Sequence, residues 1–149
     1  MSQVYVIDAC ALINLAHRYN LNKKAFSHIW GTLEDKIESG ELISSREIYD
    51  ELKDDDLKEW AYKHKDAFLP LTREIQEKTK EILKKYPAII KMRSSRNSNA
   101  DPFLIATAAI YDGVVVTDEG TKQNGIPSVC QRMGIEYINS SDYFDVILE

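Results

Sequence analysis

The segment from Asn99 to Glu119, NADPFLIATAAIYDGVVVTDE, constrains this chain more than any other. Val114, Val115 and Val116 are consecutive and β-branched. Such a run suits a central parallel strand covered on both faces, because every second side chain of a half-exposed strand would otherwise be polar. The stretch before it, Phe103 to Tyr111, is apolar or small on nearly every side, so it reads as a buried helix. Pro102 suits the first helical position, where its missing N–H has no partner in any case. That makes Asp101 the expected N-cap and Gly113 the expected stop. Thr117, Asp118 and Glu119 then leave the strand at its C-terminal end, the edge at which open α/β sheets bind ligands.

A second strand-end acid stands near the start. Val4 to Ile7 is a compact β-prone run, Asp8 follows it directly, and Leu12, Ile13, Leu15 and Ala16 give the next helix a wide apolar face. Phe26, Ile29, Trp30, Leu33 and Ile37 recur at helical spacing between Lys24 and Ser39, with Gly40 as the stop, and Leu42–Ile43 reads as a short strand. Ser44 followed by Glu47 matches a capping box, which gives Glu47 a local structural task. Glu51, one turn on and beside the Ile48/Leu52 stripe, has no such task and is the functional candidate. Asp54, Asp55 and Asp56 are consecutive and splay around any helix or turn, so they read as a solvated turn rather than a metal site. Leu57, Trp60 and Ala61 carry a helical stripe on towards Phe68, where Pro70 breaks it. Ile75, Thr79, Ile82, Leu83 and Tyr86 define another helix, closed by Pro87. A short helix around Val129, Cys130 and Met133, a strand at Ile135–Ile138 and a closing helix at Ser141–Leu148 complete the order. Strands alternating with helices predict an α/β fold with a mostly parallel sheet.

The totals agree with one domain spanning 1–149, since 44% hydrophobic residues suffice for a sizeable core at this length. No apolar run is long enough to cross a bilayer, and Asp8 interrupts the one near the start. Two cysteines, Cys10 and Cys130, give no disulfide framework, and a cytoplasmic location is the expectation. The net charge of −5 argues against a protein that coats polyanions generally. Between Arg73 and Arg96, however, eight basic residues face three acidic ones, a local surplus of +5. Lys91, Arg93 and Arg96 lie in the polar loop leading to Asp101, where they would rim the acidic site and suit a phosphate backbone.

Asp8, Asp101, Asp118 and Glu119 are all expected at strand ends or helix starts on one side of the sheet, with Glu51 able to join them. Acids so gathered oppose joint ionisation, and a hard divalent cation is the usual remedy. Oxygen ligands alone point to Mg²⁺ or Mn²⁺ rather than zinc, and His17, His28 and His64 show no zinc spacing.

These segments together resemble a PIN-domain nuclease, the fold of the VapC-type toxin ribonucleases. The resemblance rests on Val6-Ile7-Asp8, Ile48-Tyr-Asp-Glu51-Leu, Ala100-Asp101-Pro and Val116-Thr117-Asp118-Glu119, whose order and spacing cover essentially the whole chain. More narrowly the chain is similar to a prokaryotic PIN subfamily in which an Ile-Pro-x-x-Cys segment recurs, here Ile126 to Cys130. The resemblance implies a single PIN-like domain, with a mostly parallel sheet of four or five short strands flanked by helices. It implies metal-dependent phosphodiester hydrolysis, most often of RNA, with Asp8, Glu51, Asp101 and Glu119 as catalytic acids and Asp118 as a further metal ligand. Many PIN domains carry Thr-x-Asp at the fourth acid, so Glu119 stands where aspartate is usual and Asp118 is additional. Asn14 and Thr117 are candidates for orienting carboxylates or substrate. RNA is the expected substrate. An antitoxin protein and a second copy of the chain are the protein partners that the resemblance allows for. The alternatives are a catalytically inactive PIN-fold module that binds RNA or protein, and a nuclease acting on structured DNA. A haloacid-dehalogenase-like phosphatase fits poorly, because Cys10 stands where its second aspartate belongs, and a phosphoacceptor receiver would need its acids and a late lysine in another order.

Overall fold

The computed structural model describes residues 3–89, 100–120 and 125–148. Five parallel strands form one sheet in the order β3-β2-β1-β4-β5, namely β1 (Tyr5–Ile7), β2 (Leu42–Ser45), β3 (Phe68–Leu69), β4 (Val114–Val116) and β5 (Tyr137–Ile138). Around it lie α1 (Ala9–Arg18), α2 (Ser27–Glu38), α3 (Arg46–Glu51), α4 (Asp55–Lys63), α5 (Arg73–Lys85), α6 (Asp101–Tyr111), α7 (Ile126–Met133) and α8 (Ser140–Ile147). This is the mostly parallel α/β architecture expected from the sequence.

The chain builds outward from β1 through β2 to β3, then returns to the other side of β1 with β4 and β5. The strand order therefore reverses between β1 and β4, and the crevice outside their C-terminal ends is where such a sheet opens to a ligand. Register fixes what meets there. Val6 pairs with Val115 and Ile7 with Val116, which sets Asp8 level with Thr117. The pairing extends one step further through Asp8 N–H, which donates to the Val116 carbonyl at 2.9 Å.

The valine run does what its composition demands, since Val115 and Val116 have no exposed surface and meet Leu12, Leu15, Leu104 and Ile105 in one core. Helix α6 is buried at Pro102 and from Leu104 to Ala108, with Phe103 half-buried, but its last turn emerges, with Ile110 and Tyr111 exposed, so the apolar stretch does not stay covered to its end. Three boundaries differ from expectation at this helix. Its N-cap is Ala100, Asp101 is the first helical residue and Pro102 the second. Asp112, not Gly113, takes the left-handed conformation that ends it, with φ of 52°. Aspartate tolerates that region because its short polar side chain bonds locally. Gly113 instead serves close approach, since a Cβ there would stand 2.9 Å from Val6 Cγ2 and 3.2 Å from the Val4 carbonyl oxygen.

Elsewhere the helical stripe after Trp60 does not reach Phe68. Helix α4 ends at Lys63, a 3-10 turn covers Lys65–Ala67, and Phe68–Leu69 is an outer strand. Two residues are too few to show a period of two, so this strand has no signature of its own. The aspartate triplet is a helix start rather than a turn, with Asp54 accepting from Leu57 N–H at 2.9 Å and Asp55 and Asp56 in the first turn, where carboxylates favour the helix dipole. No helix among the described residues is long and apolar enough to cross a membrane.

Candidate active site at the strand-order reversal

Asp8 occupies the crevice. It is 4% exposed and caps α1, with one carboxylate oxygen accepting from Ala9 N–H at 2.7 Å. The other oxygen accepts from the Cys10 thiol and the Thr117 hydroxyl, each at 2.9 Å. These bonds favour the charged form, yet burial outweighs them and, with the charge of Glu119 added, pushes the Asp8 pKa from 3.8 to about 6. Burial, followed by the charge of Asp8, also holds the Cys10 thiol protonated far above its ordinary range. Cys10 here is a hydrogen-bond donor to a carboxylate and no nucleophile.

Thr117 is the hinge of the arrangement. Its hydroxyl donates to Asp8 and accepts from Glu119 N–H at 3.1 Å, so one side chain connects the acids leaving β1 and β4. Glu119 turns back to accept from Ile126 N–H at 3.0 Å, satisfying an amide at the start of α7 that has no partner within the helix.

Asp118 points elsewhere. It accepts from Asn14 Nδ2 at 2.8 Å and from both the backbone N–H and the hydroxyl of Ser140 at 2.7 Å. Partial burial works against its charge, but the two Ser140 bonds, Asn14 and the positive charge of Arg18 together bring its pKa below the ordinary aspartate value. Asn14 thus orients a carboxylate, one of the two roles expected for it. Arg18, in the last turn of α1, adds a cation on the Asp118 side of the site. Arg18, Asn14, Asp118, Glu119 and Ser140 line a cleft of about 400 Å³.

Asp101 and Glu51 reach the same edge by topology. A helix that precedes a parallel strand runs antiparallel to it, so the N-terminal residue of α6, Asp101, lies towards the strands' C-terminal ends. Helix α3 follows β2 and packs against α1 and α6. Glu51 is its last residue, and both acids are half-buried. The neighbouring Glu47 does not have the capping task expected of it. Ser44 lies inside β2 and donates to the Ile7 carbonyl at 2.6 Å, while Ser45 caps α3 through Ile48 N–H at 3.4 Å. The cap is one residue later than the motif suggested, and Glu47 Oε1 is buried without a hydrogen-bond partner among the described residues. Lys91, Arg93 and Arg96 lie outside the described residues.

Cys10, Arg18 and Ser140 were not among the sequence candidates. Only Cys10 carried a local signal, two residues beyond a strand-end acid. Arg18 and Ser140 become partners of Asp118 through pairing of β4 with β1 and β5.

A family model described as a domain of unknown function, DUF4411, matches residues 5–147. The chain belongs to the DUF4411 family. No curated protein matches the sequence. Two solved structures share the fold of this DUF4411 chain. One is VapBC2 from Rickettsia felis bound to a DNA fragment from their promoter, with 13% identity and a TM-score of 0.53 over 92% of this chain and 98% of that one. The other is FitAcB from Neisseria gonorrhoeae, with 14% identity and a TM-score of 0.50 over 93% of this chain and 99% of that one. The fold is PIN-like, as the motifs implied.

The donor chemistry suits a hard cation. The acids are oxygen ligands, and Asp8 is a buried carboxylate whose ionisation a neighbouring acid opposes, a condition that a divalent cation relieves. The geometry is not drawn together to the same degree, for among the described residues no three His, Cys, Asp or Glu side chains are grouped closely enough to hold an ion. Asp8 and Glu119 form the coupled pair, and Asp101 and Glu51 share their edge.

Proposed function

We propose that this DUF4411 protein is a metal-dependent phosphodiesterase, an endoribonuclease of the VapC-toxin type. The observation that carries the reading is the state of Asp8: buried at the strand-order reversal, held by three donors, and pushed to about 6 by burial and by Glu119. A carboxylate meant only to cap a helix gains nothing from a second acid set against it. Asp8, Glu119, Asp101 and Glu51 would hold Mg²⁺ or Mn²⁺, with Asp118 towards the substrate side. A bound divalent cation supplies Lewis-acid charge neutralisation and an activated nucleophile at neutral pH. Thr117 and the Ala9 amide keep Asp8 in one orientation, Asn14 and Ser140 do the same for Asp118, and Arg18 offers a positive charge to a phosphate in the cleft. Lys91, Arg93 and Arg96, in the sequence before Asp101, are proposed to hold the substrate backbone. By analogy with the complexes that share its fold, the chain would be restrained by an antitoxin-like partner protein.

The test is cleavage of RNA and of single-stranded and structured DNA by pure protein with Mn²⁺. RNA cleavage that disappears with EDTA and in Asp101→Asn is the expected result. One observation favours a second reading, a PIN-fold module that binds RNA without cutting it: the four acids are not grouped around one point among the described residues. RNA binding with no cleavage under any divalent cation would establish that reading instead.

A further inference from the structure

A second cavity, of about 520 Å³, lies beside the outer strand β3. Tyr49, Tyr62 and Phe68 supply its aromatic surface, and Arg46 and Lys65 stand among them. The geometry points to a subsite for an unstacked base of a single-stranded nucleic acid, adjoining the carboxylate crevice. This inference deepens the nuclease reading and rests on it for the identity of the strand.

Three observations support the assignment. First, the cavity runs along β3 and opens towards the carboxylate edge at one end. Ser45 pairs with Leu69, so Arg46 and Pro70 stand level with each other at the C-terminal edge that carries Asp8 and Thr117, while Tyr62, Lys65 and Asp66 precede β3 and line the cavity's other end. Only β2 separates β3 from β1, which puts the strand ends about 10 Å apart, within reach of a few nucleotides. Second, aromatic faces are paired with cations. Tyr62 is 58% exposed, with Lys65 Nζ 4.9 Å from its ring centroid. Lys58 Nζ covers one face of Tyr49 from outside the cavity lining, 4.2 Å from the centroid and held by donating to the Tyr49 carbonyl at 2.9 Å, so the exposed Tyr62 ring is the one that offers a face for stacking. Flat rings for stacking beside cations for the backbone are what binders of single strands use. Third, Asp50 and Asp66 also line the cavity and add acceptors to the donors of Arg46 and Lys65, so a base edge can be read as well as stacked upon.

A protein segment fits less well. Strand β3 has two residues and Pro70 follows it without an N–H, which leaves little ladder for an added strand. Lysine and aspartate crowd the aromatic surface, whereas the centre of a protein interface is depleted in both.

The test is binding of a labelled twelve-nucleotide single-stranded RNA, read by fluorescence anisotropy in EDTA so that no cleavage is needed. Tyr62→Ala, at an exposed position, is expected to weaken binding about tenfold, and Tyr62→Phe to restore it. One abasic nucleotide, moved along the RNA, should at one position cost the wild-type protein a similar factor and cost Tyr62→Ala nothing further. That pattern in a chain that never cleaves would still support the subsite while removing the nuclease reading. An active nuclease whose Tyr62→Ala variant binds RNA as tightly as wild type would overturn the subsite alone. Intact RNA affinity with loss of a co-purifying protein partner would overturn it in favour of protein docking.

Discussion

Asp8 and Asp118 leave neighbouring parallel strands at one edge of one sheet, and the protein treats them in opposite ways. Asp8 is buried and has three hydrogen bonds, but two of its donors are a thiol and a hydroxyl that cannot balance that burial beside Glu119. Asp118 is less buried and receives a backbone amide, an amide side chain, a hydroxyl and the field of Arg18. The same residue type is therefore kept under electrostatic tension at the end of one strand and relaxed beyond the end of the next. Fixed partners relax a carboxylate that shapes a cleft; tension is retained where an incoming cation could relieve it.

The largest effect should come from pH acting on the tense acid. In the absence of divalent cations, native Asp8 binds its proton more tightly than an unfolded aspartate, so stability is unaffected below about pH 3.8, falls as pH rises through the interval to about 6, and carries the full penalty above it. The move from 3.8 to about 6 corresponds to about 3 kcal/mol. Asp8→Asn should lack this loss and melt higher than wild type at pH 7 in EDTA. Asp118 has the opposite sign, its contribution being present above the unfolded value and lost as acid titrates it. Unfolding curves for the two Asn variants from pH 3.5 to 7.5 should diverge from wild type in opposite directions, and parallel curves would break the comparison.

Metal should act on the same acid by nearly as much. Mg²⁺ or Mn²⁺ at about a hundredfold excess over its dissociation constant is expected to stabilise wild type by about 2.7 kcal/mol. Asp8→Asn should lose most of this response and Ser140→Ala should keep it. A wild-type melt indifferent to both cations would remove the metal from the proposal.

For the relaxed acid, Asp118→Asn should destabilise by about 1 to 2 kcal/mol, because hydrogen bonds to a charged group are the stronger kind and the site is partly open to water. Ser140→Ala should cost a similar amount, and the double variant little more, since both remove the same contacts. Additive losses would show that Asp118 and Ser140 are not one unit.

The contrast between the two aspartates also marks how far the sequence could be read. The strand ends were legible because Val114 to Val116 and Val4 to Ile7 leave few alternatives, and acids following directly on them must lie at the sheet edge. The local environment of each acid was not. Arg18 and Ser140 are distant from Asp118 in sequence and reach it through strand order, which no single segment encodes. The one-residue shift of the cap from Ser44 to Ser45 has a similar cause: β2 runs on to pair with β3, and Ser44 is drawn into the sheet to bond the Ile7 carbonyl. That shift frees Glu47 from the role its spacing suggested.

The finest discrimination lies within the pair Asp118 and Glu119. Adjacent residues leaving an extended strand alternate in direction, and here they part company: Asp118 turns to Asn14 and Ser140, Glu119 to Ile126. Of the two, Glu119 is the one whose charge opposes Asp8. It is also tied to Asp8 through the Thr117 hydroxyl, while Asp118 already has its charge compensated. A carboxylate whose charge is already balanced by fixed donors and a nearby cation gains less from a metal ion than one set against another acid. Glu119→Gln should therefore lower metal-dependent cleavage at least about tenfold, or about 1.4 kcal/mol of transition-state stabilisation, and more than Asp118→Asn measured at equal folded concentration. Glutamine keeps an oxygen for Ile126 N–H, so the start of α7 should survive and the loss should appear in kcat rather than in the melting temperature. Should Asp118→Asn prove the more damaging in kcat, the reactive edge would be the one facing Arg18, and the relaxed acid, not the tense one, would be doing the chemistry.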